Sequence, residues 1–343
     1  MEKRSLGATG MQVSNLCLGT MMLGPMGNKD ENECQRMIHR ALDAGINFID
    51  TADTYSRGIS EEICGRALKG RREHVVLATK FTGTMGDDPN QCGASRRWIV
   101  KAVEDSLRRL GTDYIDLYQM HRFDAPTDVD EILFTLTELV RQGKIRTFGS
   151  SRFPADRIVE AQWIASRRGY LPFRCEQSSY SIFNRDIERF VLPACQRYGM
   201  GMIVFSPLDG GYLAGRYKGP EDLTEDTRIA FFSKHLWGGF DPQSQQVRHK
   251  LDLVAKLRSL VQDAGMSIAQ LANAWTIEHP AVTAAIIGPR TMEQLEGSLP
   301  AGDTRLSPDL LDAIDALVPP GNSLNPHLDL PSGLAPEQRR RPR

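Results

Sequence analysis

The feature that most constrains this chain is a cycle repeated along nearly its whole length: a short apolar run, a loop, then an amphipathic helical segment. Eight runs have the length and make-up of strands: Leu16–Gly19, Phe48–Asp53, Val75–Lys80, Ile115–His121, Thr147–Ser151, Cys175–Tyr180, Met202–Leu208 and Ala284–Gly288. Several are almost continuously apolar, as parallel strands covered on both faces must be. Glu31–Ala44, Ser60–Lys69, Ser95–Leu110 and Asp128–Gln142 carry apolar residues at three- and four-residue spacing. Pro154–Arg168, Asp186–Tyr198, Ser267–Glu278, Thr291–Leu299 and Ser307–Leu317 fill the later helical slots. Strand and helix alternating eight times predict an α/β fold, a single (β/α)8 TIM barrel. Residues 1–15, with Gly-Ala-Thr-Gly at 7–10, predict a β-hairpin outside that barrel. The barrel domain is placed at 1–320, and a Pro-rich tail with a basic end at 321–343.

Composition removes several function classes. Lys and Arg total 42 against 43 Asp and Glu, so no global field favours nucleic acid or acidic lipid. The one basic cluster, Arg339 to Arg341 with Arg343, reads as a solvated tail. No apolar run is long enough to span a membrane. The six cysteines form no C-x-x-C pair and no Cys/His cluster has metal spacing, so they read as reduced thiols and no metal is expected. The N-terminus lacks an apolar signal core, so a cytoplasmic protein is expected.

The chemistry concentrates where strands end. The second strand delivers Asp50, with Tyr55 just beyond; the third ends in Lys80 and the fourth in His121. Each gap holds one helix and a return, so the four belong to neighbouring strands and can meet at one rim. Singly, each has an ordinary explanation: a solvated lysine, a packed histidine, a capping aspartate. Together they make a proton donor with its supports. A phenol is a poor acid near neutral pH, an adjacent ammonium favours its ionisation, a carboxylate holds that ammonium, and a neutral imidazole can orient a substrate oxygen. Two long loops, Thr82–Ala94 and Asp209–Gln246, leave the same ends of strands. The tail from about Pro319 reads either as disordered or as folding its start over the barrel mouth.

In order along the chain, FIDTADTYSRGISEEICGRAL, LATK, LGTDYIDLYQMHRFD, IRTFGSS, FSPLDGGYLAGRY and AAIIGPRTMEQLEGSL resemble the segments of the aldo-keto reductase family, over about residues 1–320. The HRFD and SPL-x-x-G forms are similar to the branch holding bacterial reductases and potassium-channel beta subunits. The resemblance implies reduction of an aldehyde or ketone with NADPH. It places Tyr55 as general acid, Lys80 as tuner of its pKa, Asp50 as partner of Lys80, and His121 as the donor orienting the substrate.

The same resemblance assigns cofactor contacts. Gly19, Thr20 and Met21 match the start of the nicotinamide site, Ser151 and Gln177 the carboxamide contacts, and Phe205 the stacking position. Ser206, Pro207, Leu208 and Gly210 match the pyrophosphate loop, and Gly288, Arg290, Gln294 and Ser298 the adenosine end. Arg290, near a helix start, suits a 2′-phosphate by charge and fork geometry. The chain departs from the pattern at Arg152, where the family often has Asn, and at Gly297-Ser298, where it often has Glu-Asn. No G-x-G-x-x-G follows a strand, and Gly210–Gly215 lacks the Lys-Ser/Thr of a phosphate-binding loop. Met21, Phe81 and Phe123 are candidates for pocket walls, with Trp237 and Phe240 in the loop after strand seven. Three functions share these residues: a carbonyl reductase acting on a small molecule, an NADP(H)-sensing regulatory subunit with slow turnover, and an alcohol or sugar dehydrogenase running in reverse. Monomer and homo-oligomer both remain open.

Overall fold

A computed structural model of the chain describes residues 1–224, 227, 229–230, 241–262 and 265–325. Strands β1 (Lys3–Ser5) and β2 (Gln12–Ser14) form the expected antiparallel hairpin. Eight further strands close into a parallel barrel in chain order: β3 (Leu16–Gly19), β4 (Phe48–Asp50), β5 (Val76–Phe81), β6 (Ile115–Met120), β7 (Ile145–Ser151), β8 (Cys175–Ser179), β9 (Gly201–Phe205) and β10 (Ala284–Ile287), which pairs back to β3. This is the (β/α)8 barrel.

Around it lie α1 (Glu31–Asp43), α2 (Ile59–Ala67), α3 (Arg96–Leu110), α4 (Val129–Arg141), α5 (Ala155–Arg168), α6 (Val191–Arg197), α7 (Gln245–Val261), α8 (Ile268–Glu278), α9 (Met292–Ser298) and α10 (Pro308–Leu317). Local chemistry sets their starts. Asp30, Ser95, Asp128, Ser244, Ser267, Thr291 and Ser307 each accept a backbone N–H of the first helical turn. The span 186–198 does not run as one helix: a short 3-10 turn at Asp186–Glu188 precedes α6. Pro193 explains the late start, because proline fits only the first turn of a helix. Helix α7 occupies a stretch to which the sequence reading gives no element. Its buried Val247, Leu251, Val254, Leu257 and Val261 keep helical spacing, but the buried Lys250 interrupts the apolar stripe.

Two cores follow from the alternation of strand side chains. Inside the barrel lie Leu6, Val13, Cys17, Phe48, Ala78, Leu117, Cys175, Ile203, Ala284 and Ile286. The opposite faces of the strands pack against the helices in a much larger cluster. Leu6 and Val13 come from the hairpin, so the hairpin plugs the N-terminal end of the barrel. Gly7 is needed there: a Cβ on it would lie 2.4 Å from the Gly201 nitrogen, and its φ is +53°.

The barrel leaves its C-terminal end open to chemistry. Among the described residues, six that are not glycine have left-handed φ: Ser56, Arg57, Thr82, Arg152, Ser206 and Asp209. All follow the C-terminal ends of barrel strands. Ser206 at +58° turns the chain out of the sheet, which ends β9 at Phe205 rather than at Leu208. The start of the tail folds at this end too: Arg185 N donates to Asn322 O at 2.8 Å and Leu324 N to Phe183 O at 2.8 Å. Residues 326–343 with their arginines, and Trp237 and Phe240, lie outside the described residues.

Candidate active site

Each inward position of the apolar barrel layer has a partner two residues further along its strand, at the mouth. Phe48 leads to Asp50, Ala78 to Lys80, Leu117 to Gln119, Cys175 to Gln177 and Ile203 to Phe205. Four of these five strands thus change from apolar to polar filling within one pleat repeat, while β9 places an aromatic ring there. Lys80, fully buried, donates from Nζ to Asp50 Oδ1 at 2.5 Å, to Thr51 O at 2.8 Å and to Tyr55 Oη at 3.3 Å. Asp50 is only 2% exposed, yet its other oxygen is also used. Gln119 Nε2 donates to Oδ2 at 3.1 Å and Gln177 Nε2 at 2.8 Å. A buried ion pair is tolerable when the remaining lone pairs are filled in this way.

Tyr55 and His121 complete the cluster. Their rings meet edge to face with centroids 5.8 Å apart. His121 is fixed through its backbone, whose N–H donates to Phe81 O at 2.9 Å, and its buried Nδ1 has no partner among the described residues. Burial, and then the charges of Lys80, Arg122 and Arg152, hold the imidazole well below its usual pKa, so it is neutral at neutral pH. For Lys80, burial works against the charge, but Asp50 and Tyr55 outweigh it and raise the pKa. For Tyr55, Lys80 acts in the expected direction, but it is not the largest influence. Burial comes first and raises the Tyr55 pKa; Lys80 pulls it down, and Asp50 offsets part of that pull.

All four sequence-predicted residues therefore stand at one rim. Gln119 was not singled out, although it is legible: it is two residues before His121 on the same face of β6. The carboxamide candidates are also engaged within the chain. Ser151 Oγ donates to Gln177 O at 2.9 Å, while the Gln177 amide serves Asp50. Thr20 N–H donates to Asp50 O at 2.9 Å, with Gly19 before it and the half-buried Met21 after it. Phe81 is not a pocket wall. It is fully buried on the outward face of β5, stacked on Tyr118 at 4.8 Å, because Lys80 before it points inward. Phe123 is half-buried against Phe153 at 5.4 Å.

Two regions fit the ends of a dinucleotide. Beside the half-buried Phe205 ring, Ser206, Asp209, Gly210 and Gly211 all have left-handed φ, so the backbone of 206–211, with Pro207 and Leu208, curls into a tight cradle. A Cβ on Gly288 would meet nothing within 4 Å, so the space there is open. Next to it, the exposed Arg290 carries a guanidinium with no partner among the described residues, and its N–H donates to Gln294 Oε1 at 2.8 Å. Ser298 is buried and donates to Gln294 O at 2.8 Å.

A closed parallel barrel with a Lys-Asp-Tyr-His cluster at its C-terminal rim defines an oxidoreductase of barrel architecture. The chain belongs to the aldo/keto reductase family, whose family model matches residues 15–319. It is 39% identical over 330 residues to the "Uncharacterized oxidoreductase YrpG" of Bacillus subtilis, covering 93% of this chain and 96% of that protein. It is 35% identical to a "Probable voltage-gated potassium channel subunit beta" of Oryza sativa (93% and 97% covered). It is 33% identical to the "Versiconal hemiacetal acetate reductase" of Aspergillus parasiticus (92% and 96% covered). Among the described residues, no cluster of three or more His, Cys, Asp or Glu could hold a metal, and no helix is long and apolar enough to cross a membrane.

Proposed function

We propose that the chain reduces an aldehyde or ketone to the alcohol with NADPH, using Tyr55 as proton donor. The observation that carries this reading is the buried Lys80 ammonium, which bridges the Asp50 carboxylate and the Tyr55 hydroxyl. When bound, the nicotinamide supplies a hydride to the carbonyl carbon. Phe205 would stack on its ring, Ser151 and Gln177 would face its carboxamide, residues 206–210 would hold the pyrophosphate, and Arg290 the 2′-phosphate. Neutral His121 holds the carbonyl oxygen near Tyr55 by donating a hydrogen bond. Tyr55 Oη gives its proton to that oxygen as negative charge builds there. A phenol pushed up by burial stays protonated until then, and the adjacent ammonium stabilises the phenolate left behind. Asp50, fixed by Gln119 and Gln177, keeps the ammonium charged and in place.

The test is NADPH absorbance decay with simple aldehydes, wild type beside Tyr55→Phe. Loss of about 10²–10⁴-fold in kcat with NADPH binding retained is expected of a missing general acid. A Tyr55→Phe variant as fast as wild type would remove Tyr55 from that role. A second reading rests on the relatives named as potassium-channel subunits: a cofactor-sensing regulatory protein that turns over slowly. Rapid multiple turnover with generic aldehydes excludes it. For the cofactor, Arg290→Ala should cut the preference for NADPH over NADH by roughly tenfold, the effect of one lost charge-assisted contact. An unchanged ratio would mean that Arg290 does not hold the 2′-phosphate.

A further inference from the structure

A second buried ion pair stands at this end of the barrel, and the chemistry above does not use it. Asp209 lies in the backbone cradle of 206–211, 3% exposed and with φ +47°. That backbone conformation favours glycine, which follows it at 210 and 211. What aspartate adds at 209 is a carboxylate. Lys250 of α7, equally buried, donates from Nζ to Asp209 Oδ2 at 2.7 Å and to Asn325 Oδ1. Asn325 Nδ2 in turn donates to Asp209 Oδ1. Each of the three side chains thus bonds both of the others, in a closed ring. The ammonium also lies over the Tyr212 ring, 4.6 Å from its centroid. The ring joins three segments distant in sequence: the cradle after β9, a helix, and the start of the tail.

The tail reaches this point on contacts of its own. Past α10, Arg185 Nη1 donates to Val318 O at 2.7 Å and Gly321 N to Glu188 Oε2 at 2.8 Å. Arg185 N donates to Asn322 O, Asn184 and Ser323 form an antiparallel bridge, and Leu324 N donates to Phe183 O. Gln246 of α7 donates to Leu324 O. Residues 318–325 therefore run as a strap across the loop that follows β8. Apolar packing could hold its end as firmly, because desolvating an ammonium and a carboxylate offsets much of their attraction. The ring supplies direction instead. Donors on both oxygens of Asp209 fix the carboxylate and hence the left-handed turn at 209. Asp209 N also donates to Ser206 O at 2.9 Å, and Gly211 N to Leu208 O at 2.9 Å. Fixing residue 209 therefore fixes the curl of the whole cradle.

We propose that Asn325 is a positioning residue for the cofactor: by closing the ring with Asp209 and Lys250 it holds the cradle in the shape that receives the pyrophosphate, so that docking of the tail and retention of NADPH are coupled. This rests on the reading of 206–210 as the pyrophosphate site. Asn325 acts through Asp209, not by touching the cofactor. Coupling of this kind is reciprocal. Whatever factor the docked strap adds to NADPH affinity, bound NADPH adds to docking of the strap.

The test uses the full chain, with NADPH affinity and release followed by its fluorescence. Asn325→Asp keeps the volume of the side chain but sets an oxygen, in place of a donor, against Asp209. It is expected to weaken NADPH binding by roughly tenfold, mainly through faster release, the loss of one charge-assisted hydrogen bond. In steady state the loss should fall on the KM for NADPH and not on kcat. Combining it with Asp209→Asn exchanges the carboxylate and the amide and rebuilds the ring around Lys250. The double variant should return to within about threefold of wild type, as coupled neighbours do in a double-mutant cycle. NADPH should also slow hydrogen exchange of residues 318–325 in wild type and not in Asn325→Asp. A lower melting temperature with NADPH affinity unchanged makes the strap purely structural and overturns the proposal. So does a loss of affinity that the exchange fails to restore, which is the mark of direct contact between Asn325 and the cofactor. Absence of NADPH-dependent protection at 318–325 overturns it as well. Wild type that binds NADPH but reduces no aldehyde ends the reductase reading alone, and the binding and exchange measurements still decide the strap. Wild type that binds no NADPH ends both.

Discussion

At its N-terminal end the barrel is filled by Leu6 and Val13 of the hairpin, sealed on the same apolar layer as Phe48, Leu117 and Ile203. At its C-terminal end the same strands carry a buried ion pair, two buried amides, a neutral imidazole and a phenol, and their continuations hold the six left-handed non-glycine residues found among the described residues. The N-terminal end is closed by packing, whereas the C-terminal end is left accessible beside the half-buried Phe205 and the open space at Gly288. They differ in what replaces water: dispersion contacts and apolar burial at one end, a fixed set of dipoles and charges at the other. At the N-terminal end the filling is almost wholly apolar, with Asn15 Oδ1 an unpartnered polar atom beside it. An end built for chemistry keeps several, among them His121 Nδ1, Thr82 Oγ1 and both carboxylate oxygens of Asp53.

The largest break in this comparison is Lys80→Met. It removes the cation from a buried pair and leaves Asp50 with only amide donors. A loss of about 3–5 kcal/mol in unfolding free energy is expected along with activity, read by denaturant titration. A variant of unchanged stability would mean that the pair adds nothing to the fold. Next comes Leu6→Ala at the plug. Truncating a fully buried leucine should destabilise by about 2–5 kcal/mol. The kcat and KM of the folded enzyme should stay near wild type, because the change is a whole barrel depth from the rim. A large shift in kcat would show that the two ends are mechanically coupled.

The smallest expected effect is at Asp53. Burial, and then the neighbouring Glu61, push its carboxyl up to about 8. Its folded pKa lies above its unfolded value, so its contribution is fully present at low pH. That contribution is lost as pH rises toward and through about 8. Asp53→Asn cannot ionise. It should therefore be more stable than wild type at pH 9, by on the order of 1–3 kcal/mol, and the gain should shrink as pH falls toward 4. Thermal melts at several pH values check this; a pH-independent difference would mean that the carboxyl is ionised and compensated in the fold.

How far the site was legible depends on the residue. Asp50, Lys80 and His121 stand at strand ends, and the two-residue period of a strand fixes which way they point once the strand is placed. The same period explains both lapses. Phe81 follows an inward lysine and so must point outward, and Gln119 precedes an inward histidine by two and so must point inward. The Tyr55 acidity was not legible, because its sign depends on burial and on how much of the Lys80 charge Asp50 neutralises. Helix α7 was obscured by Lys250, which the fold buries by giving it Asp209 at 2.7 Å, a partner 41 residues away.

By itself the sequence determined the cycle of strand and helix, hence the barrel, and the order in which the site residues arrive at its rim. Those follow from short-range rules of periodicity and capping. The tertiary structure alone decided which groups share a proton donor's surroundings, which cations lack an anion, and where the tail folds. Those depend on distances across neighbouring strands and on exclusion of water, which no local pattern encodes.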